Sequence, residues 1–144
     1  MIEPARQPLA GFMERGIPFN IFIGIKVVAL SKERCVLRVP WNDNLIGDPM
    51  RPSVHGGVTS SLIDSTGGGA CFASLVDPER AEGPRISTVD IRVDYLRPTA
   101  GQDLVCEGRV VRLGNRVAVI RMEVFAGEVP ELGTPERAAP IATG

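Results

Sequence analysis

Residues 57–76 read as one long helix, and every other sizeable segment of this 144-residue chain carries the pattern of a strand or a loop, apart from a short helical lead-in. Before it, IGIKVVALSKERCVLRVPW supplies two β-rich runs, 23–30 and 34–41, with the polar SKER between them as a hairpin signal. After it, ISTVDIRVDYLRP (86–98) alternates Val89, Ile91, Val93 and Tyr95 against Asp90, Arg92 and Asp94. LVCEGRVVRLG (104–114) and RVAVIRMEVFA (116–126) then flank a turn at Gly114-Asn115. Alternation over such lengths specifies antiparallel strands with one wetter face. One helix cannot cover an open sheet of five to six strands, so the sheet has to curl around it. That helix must be apolar on most sides, with small side chains where other backbone passes close, and the run GVTSSLIDSTGGGACFASLV fits both demands.

The rest of the chain is subordinate to this plan. Leu9, Phe12 and Met13 in LAGFMERGIPF (9–19) predict a short helix ended by Gly16 and Pro18, so residues 1–16 form a helical lead-in. NDNLIGDPMRPSV (42–54) and DPERAEGPR (77–85) read as loops. The tail 127–144 reads as loose, with a short strand at Ile141–Thr143. Residues 1–144 are thus expected to form a single α+β domain, a curved antiparallel sheet of five to six strands wrapped around one long central helix. That arrangement is the hotdog fold.

Composition removes several classes of function. A net charge of −1 gives no ground for binding nucleic acid or an anionic membrane surface. No stretch approaches the ~20 apolar residues of a spanning helix, and MIEPARQPLA lacks the apolar segment of a secretory signal. Cys35, Cys71 and Cys106 lie far apart without ligand spacing, which predicts reduced thiols in a cytoplasmic protein. A single histidine leaves no nitrogen-rich ligand set, so no metal is expected.

Chemistry concentrates in HGGVTSSLIDSTGGG (55–69). Gly57, Ser60, Ser61, Asp64 and Gly68 share one helical face, placing the carboxylate over a floor of small side chains. Gly56 and Gly57 open the helix, where amides lack intrahelical partners and can stabilise a developing oxyanion. Gly57 and Asp64 are seven residues apart, about 10.5 Å along a helix. One carbonyl group cannot touch both. If amide and acid act together, two helices lie antiparallel in a dimer, each lending its N-terminus to the other's Asp64. On the residues alone Asp64 reads either as a catalytic acid or as an interface or solvent-facing residue. His55 reads either as a general base or as a helix-entry residue bonded to local backbone.

The motifs NLIG (44–47), HGGV (55–58) and LID (62–64), followed by TVDIRVDYLRP (88–98), resemble the PaaI-like branch of the hotdog acyl-CoA thioesterases over roughly residues 17–126. The resemblance implies hydrolysis of an acyl-CoA thioester, with Asp64 activating water or attacking and the Gly57 amide polarising the carbonyl. It gives His55 the task of propping the glycine turn, Asn44 that of orienting the thioester or the water, and Thr88 that of holding the water near the acid. Gly56 and Ser61 join the substrate-binding set. Arg97 and Arg116 are either contacts for the phosphates of coenzyme A or solvated strand-end arginines. The resemblance implies a homodimer, with Asn, His and Gly from one subunit and the acid from its partner, and a homotetramer beyond that. No cofactor is implied, because coenzyme A is part of the substrate. Residues Asp48–Val54 make a longer link than in the shortest relatives, so either Asn44 or Asp48 takes the asparagine position. The acyl pocket is expected to involve Leu62, Phe72 and the 42–54 loop. Two other readings stand beside this one: a non-catalytic acyl-CoA-binding module, and a hotdog hydratase or dehydratase, against which no histidine follows Asp64.

Overall fold

The apolar run forms a single twenty-residue helix, α3 (Gly56–Leu75), seated against a six-stranded sheet. The structure is a computed structural model describing residues 1–77, 83–99, 101–129 and 140–144. Two short helices, α1 (Gln7–Arg15) and α2 (Pro18–Ile23), precede β1 (Lys26–Leu30) and β2 (Arg34–Val39). A small hairpin of β3 (Ile46–Asp48) and β4 (Ser53–Val54) leads into α3. After α3 come β5 (Asp94–Tyr95), β6 (Leu104–Leu113), β7 (Ala118–Ala126) and β8 (Ala142–Thr143). The main sheet runs β1-β2-β6-β7-β8-β5, and every pair in it is antiparallel. The expected α+β architecture, a sheet packed on one long helix, is therefore present.

The pattern of α3 explains its seat. Thr59, Leu62, Ile63, Thr66, Gly69, Ala70 and Ala73 are buried, a three- and four-residue spacing that turns one face to the sheet. The small residues permit close approach. A methyl group on Gly69 would stand 2.6 Å from Met13 Cε and 2.9 Å from Cys35 Sγ, and one on Gly108 would stand 2.9 Å from Thr66 Cγ2. Leu9, Ala10 and Met13 of α1 are buried in the same core. The buried Arg6 donates to the Ala73 carbonyl at 3.0 Å, a cation at the negative end of the helix. Cys35 and Cys106 are fully buried, and burial pushes the Cys106 thiol up to about 12. They pack as small apolar side chains.

Three departures from the sequence reading have physical causes. The lead-in is two helices, because Gly16 ends α1 and Pro18 starts α2; Gly24, at φ +79°, closes α2 in the left-handed conformation. The 42–54 loop contains a 3-10 turn (Asp43–Leu45) as well as the β3–β4 hairpin, pieces too short to show periodicity. The tail strand, by contrast, forms where it is expected and pairs with both β7 and β5; residues 130–139 lie outside the described residues. The predicted strand 86–98 is the largest difference. Only Asp94 and Tyr95 join a ladder, because β8 is two residues long and β5 is the edge of the sheet. Residues 83–93 join none among the described residues, where Val89 is 86% and Ile91 40% exposed.

Candidate active site

Asp64 lies on the one face of α3 that the sheet does not cover. Gly57 and Asp64 are exposed, Ser60, Ser61 and Gly68 are half-buried, and a methyl group on Gly68 would meet nothing within 4 Å. The Thr88 hydroxyl donates to Asp64 Oδ1 at 2.7 Å, so the segment without a ladder runs beside the acid. Thr88 thus stands on the carboxylate, leaving Oδ2 without a described partner.

The start of α3 is held by its own histidine. His55 is the N-cap: its Nδ1 accepts from the Gly57 N–H at 2.8 Å, and its carbonyl accepts from Val58 N–H at 2.9 Å. An imidazole accepting at Nδ1 carries its proton on Nε2. This corrects the expectation that the Gly57 amide faces a ligand, because that N–H is already engaged. The amide left without a hydrogen-bond partner among the described residues is that of Gly56, one position earlier. Ser60 and Ser61 both donate to the Gly57 carbonyl, at 3.1 and 2.7 Å, so the Ser61 hydroxyl proton is turned back on its own helix.

The hairpin brings the asparagine motif to this turn. His55 N–H donates to the Leu45 carbonyl at 2.8 Å, which sets Asn44 one residue from a backbone contact with the histidine. Gly47 has to be glycine here, since a methyl group would lie 2.7 Å from His55 Cα. Asp48 is engaged within the hairpin itself. Its carboxylate accepts from the Met50 and Arg51 amides at 2.9 and 3.3 Å and pairs with the Arg51 guanidinium at 3.2 Å, closing the turn of the hairpin. Upstream, Asp103 accepts from the Trp41 N–H at 2.7 Å and pairs with Arg38, anchoring the chain that leads to Asn44. That Trp41 amide, opposed by burial and aided by Arg38, holds the Asp103 carboxyl below its usual range.

A cleft of about 350 Å³ opens beside the helix start, lined by Val54, Gly56, Thr59, Tyr95, Arg97 and Ile141 among others. Arg97 is therefore at the cleft, and its guanidinium also reaches the Pro140 carbonyl at 3.5 Å. Arg116 occupies the β6–β7 turn and does not line it. Leu62, expected in an acyl pocket, is fully buried against the sheet; Phe72 is half-buried. Tyr95 was not anticipated: its hydroxyl donates to the Gly56 carbonyl at 3.0 Å. The signal was present, since a tyrosine on an alternating strand needs a partner for its hydroxyl. Among the described residues no three His, Cys, Asp or Glu side chains gather as a metal site, and no helix is long and apolar enough to cross a membrane.

Residues 52–132 match the Thioesterase superfamily. An esterase-named protein of Halobacterium salinarum is 38% identical over 104 residues, which are 72% of this chain and 66% of that one, just under two thirds of its length. The medium/long-chain acyl-CoA thioesterase YigI of Escherichia coli K12 is 33% identical over 120 residues, covering 78% of this chain and 77% of its own. A crystal structure from Shewanella oneidensis, described as related to the thioesterase superfamily, superimposes with a TM-score of 0.77 at 32% identity, covering 95% of this chain and 89% of that one.

Proposed function

This chain belongs to the thioesterase superfamily, and we propose that it hydrolyses acyl-CoA thioesters at a site built jointly by two copies. One observation carries the reading: Asp64, bonded to Thr88, stands on the uncovered face of an otherwise buried helix. Eight residues separate it from the Gly56 amide, about 12 Å along the helix, too far for one carbonyl to reach both in one chain. A second copy related by a two-fold axis supplies the missing half. Two features support that pairing: the open small-residue face of α3, and the β5 edge whose preceding segment has no ladder among the described residues. Exposed edges of this kind invite pairing with another chain.

In the proposed reaction the thioester oxygen accepts from the Gly56 N–H of one copy, with His55 shaping the turn and Asn44 beside it. Asp64 of the other copy takes a proton from water held near Thr88. The water oxygen attacks the carbonyl carbon, the C–S bond breaks, and the thiolate leaves with the proton returned from Asp64. A thiol is acidic enough to leave without a strong acid, so no second carboxyl is needed. The oxyanion role moves from Gly57 to Gly56 because the Gly57 N–H is bonded to His55. Arg97 at the cleft suits the phosphates of coenzyme A. The reaction calls on no cofactor. We place the protein in the cytoplasm, as a homotetramer of two such dimers; its three free cysteines suit that compartment.

The test is thiol release from a panel of acyl-CoA esters that includes medium and long chains, the class named for the E. coli relative. Asp64→Ala should lower kcat by about 10²–10⁴-fold, the usual contribution of a general base. Mixing Asp64→Ala with His55→Ala subunits should restore about a quarter of wild-type activity, because half the dimers then carry one intact composite site. Failure of the mixture to recover activity, with exchange of subunits verified, would place amide and acid in one chain and defeat the shared site.

A further inference from the structure

We infer that Tyr95 is a positioning residue for the oxyanion amide, an inference that rests on the thioesterase reading above. The peptide joining Gly56 to Gly57 is gripped from both ends. Its carbonyl accepts from the Tyr95 hydroxyl at 3.0 Å, and its N–H donates to His55 Nδ1 at 2.8 Å. A peptide unit is planar, so its orientation is set by the rotations at the flanking α-carbons. Both flanking residues here are glycines, which of all residues restrict those rotations least. Holding the C=O and the N–H together stops the plane from turning, and this fixes ψ of Gly56. The Gly56 N–H belongs to the adjoining His55–Gly56 peptide, which is hinged to the clamped plane at the Gly56 α-carbon. That peptide is held at its own carbonyl by Val58 N–H at 2.9 Å, so the clamp fixes one of the two planes between which that donor is set.

The two glycines and the two rings belong together. A methyl group on Gly56 would stand 3.3 Å from Tyr95 Cε1, and one on Gly57 would stand 2.9 Å from His55 Nδ1. Missing side chains at 56 and 57 therefore admit the phenol ring and the imidazole. Tyr95 is moored outside the helix it steadies. It pairs with Ala142 across β5–β8, and β8 pairs in turn with β7 of the main sheet. It is also 57% exposed at the cleft, so removing its hydroxyl empties no core position.

This separates positioning from packing. Tyr95→Phe keeps the ring and loses only the bond to the Gly56 carbonyl. Turnover of the best acyl-CoA ester should fall about tenfold in kcat, short of the loss for a whole oxyanion donor. KM should stay within about twofold, since the mis-aimed amide is felt mainly in the transition state. The melting temperature should hold. Protein labelled with ¹⁵N-glycine gives a readout that needs no substrate: exchange of the Gly57 amide with solvent should quicken in Tyr95→Phe, while that of Gly68 stays as in wild type. A kcat within twofold of wild type, or Gly57 exchange that does not change, overturns the inference. If wild type releases no thiol from any ester, the thioesterase reading fails, and Gly57 exchange alone then decides whether the clamp exists.

Discussion

Asp64 has two carboxylate oxygens, and Thr88 takes one of them. A carboxylate that accepts one fixed bond is turned so that its other oxygen has a defined direction, which is what a base needs to receive a proton from a held water. If Thr88 acts through this bond, Thr88→Ser should retain turnover within about threefold, while Thr88→Val should lose about tenfold, the share expected for orientation alone. Thiol-release kinetics on the two variants decide it, and a Val variant as active as the Ser variant would reduce Thr88 to a bystander. At this scale the sequence made the places of Asp64, His55 and Thr88 legible, because each lies in a local motif beside the start of a strong element. It did not show which glycine amide is free. That depends on the His55 rotamer, which no spacing encodes: the sequence points equally to Gly57, whose N–H His55 engages. The need of Tyr95 for a partner is legible, but not the partner itself, a backbone carbonyl 39 residues away.

Among the elements, α3 was legible almost to the residue, since a long apolar run rich in small residues has few other fates. The segment 86–98 was legible as a strand by its alternation, yet among the described residues only Asp94 and Tyr95 find ladder partners. Alternation reports the preference of a segment, and a strand also needs a neighbour. Val89 and Ile91 are exposed apolar positions, and the proposed pairing of two copies would cover them. On the proposed assembly, Val89→Asp should set two like charges near each other across a two-fold edge, split the two-fold dimers so that sedimentation shows a smaller species than wild type, and abolish turnover. Its far-ultraviolet dichroism should match wild type, because Val89 is 86% exposed. A dimer of undiminished affinity in this variant would move the interface elsewhere.

Across the whole molecule, charge on the sheet works against acid. Glu107 of β6 is 2% exposed and accepts from Arg34 on β2 and from Arg109 on its own strand. Burial pushes its carboxyl up, but the Arg34 bond and the fields of both arginines outweigh that and hold it below the usual range. Asp103, fixed to Trp41 and Arg38, is lowered as well. A carboxyl with a lowered pKa binds protons more weakly folded than unfolded, so its stabilisation is complete above the unfolded value of about 4. It is lost as pH falls through the lower, folded value. The melting temperature should therefore be flat from neutral pH down to about 5 and fall steeply below about 4. Glu107→Gln should flatten that acid limb. At pH 7 it should cost about 1–3 kcal/mol, the worth of hydrogen bonds to a charged group, because Arg34 and Arg109 stay behind without their anion. Melting curves of both proteins between pH 3 and 8 measure this directly. An acid limb equally steep in Glu107→Gln would assign it to Asp103 and the remaining carboxyls, leaving the Arg34–Glu107–Arg109 cluster a matter of strand register alone.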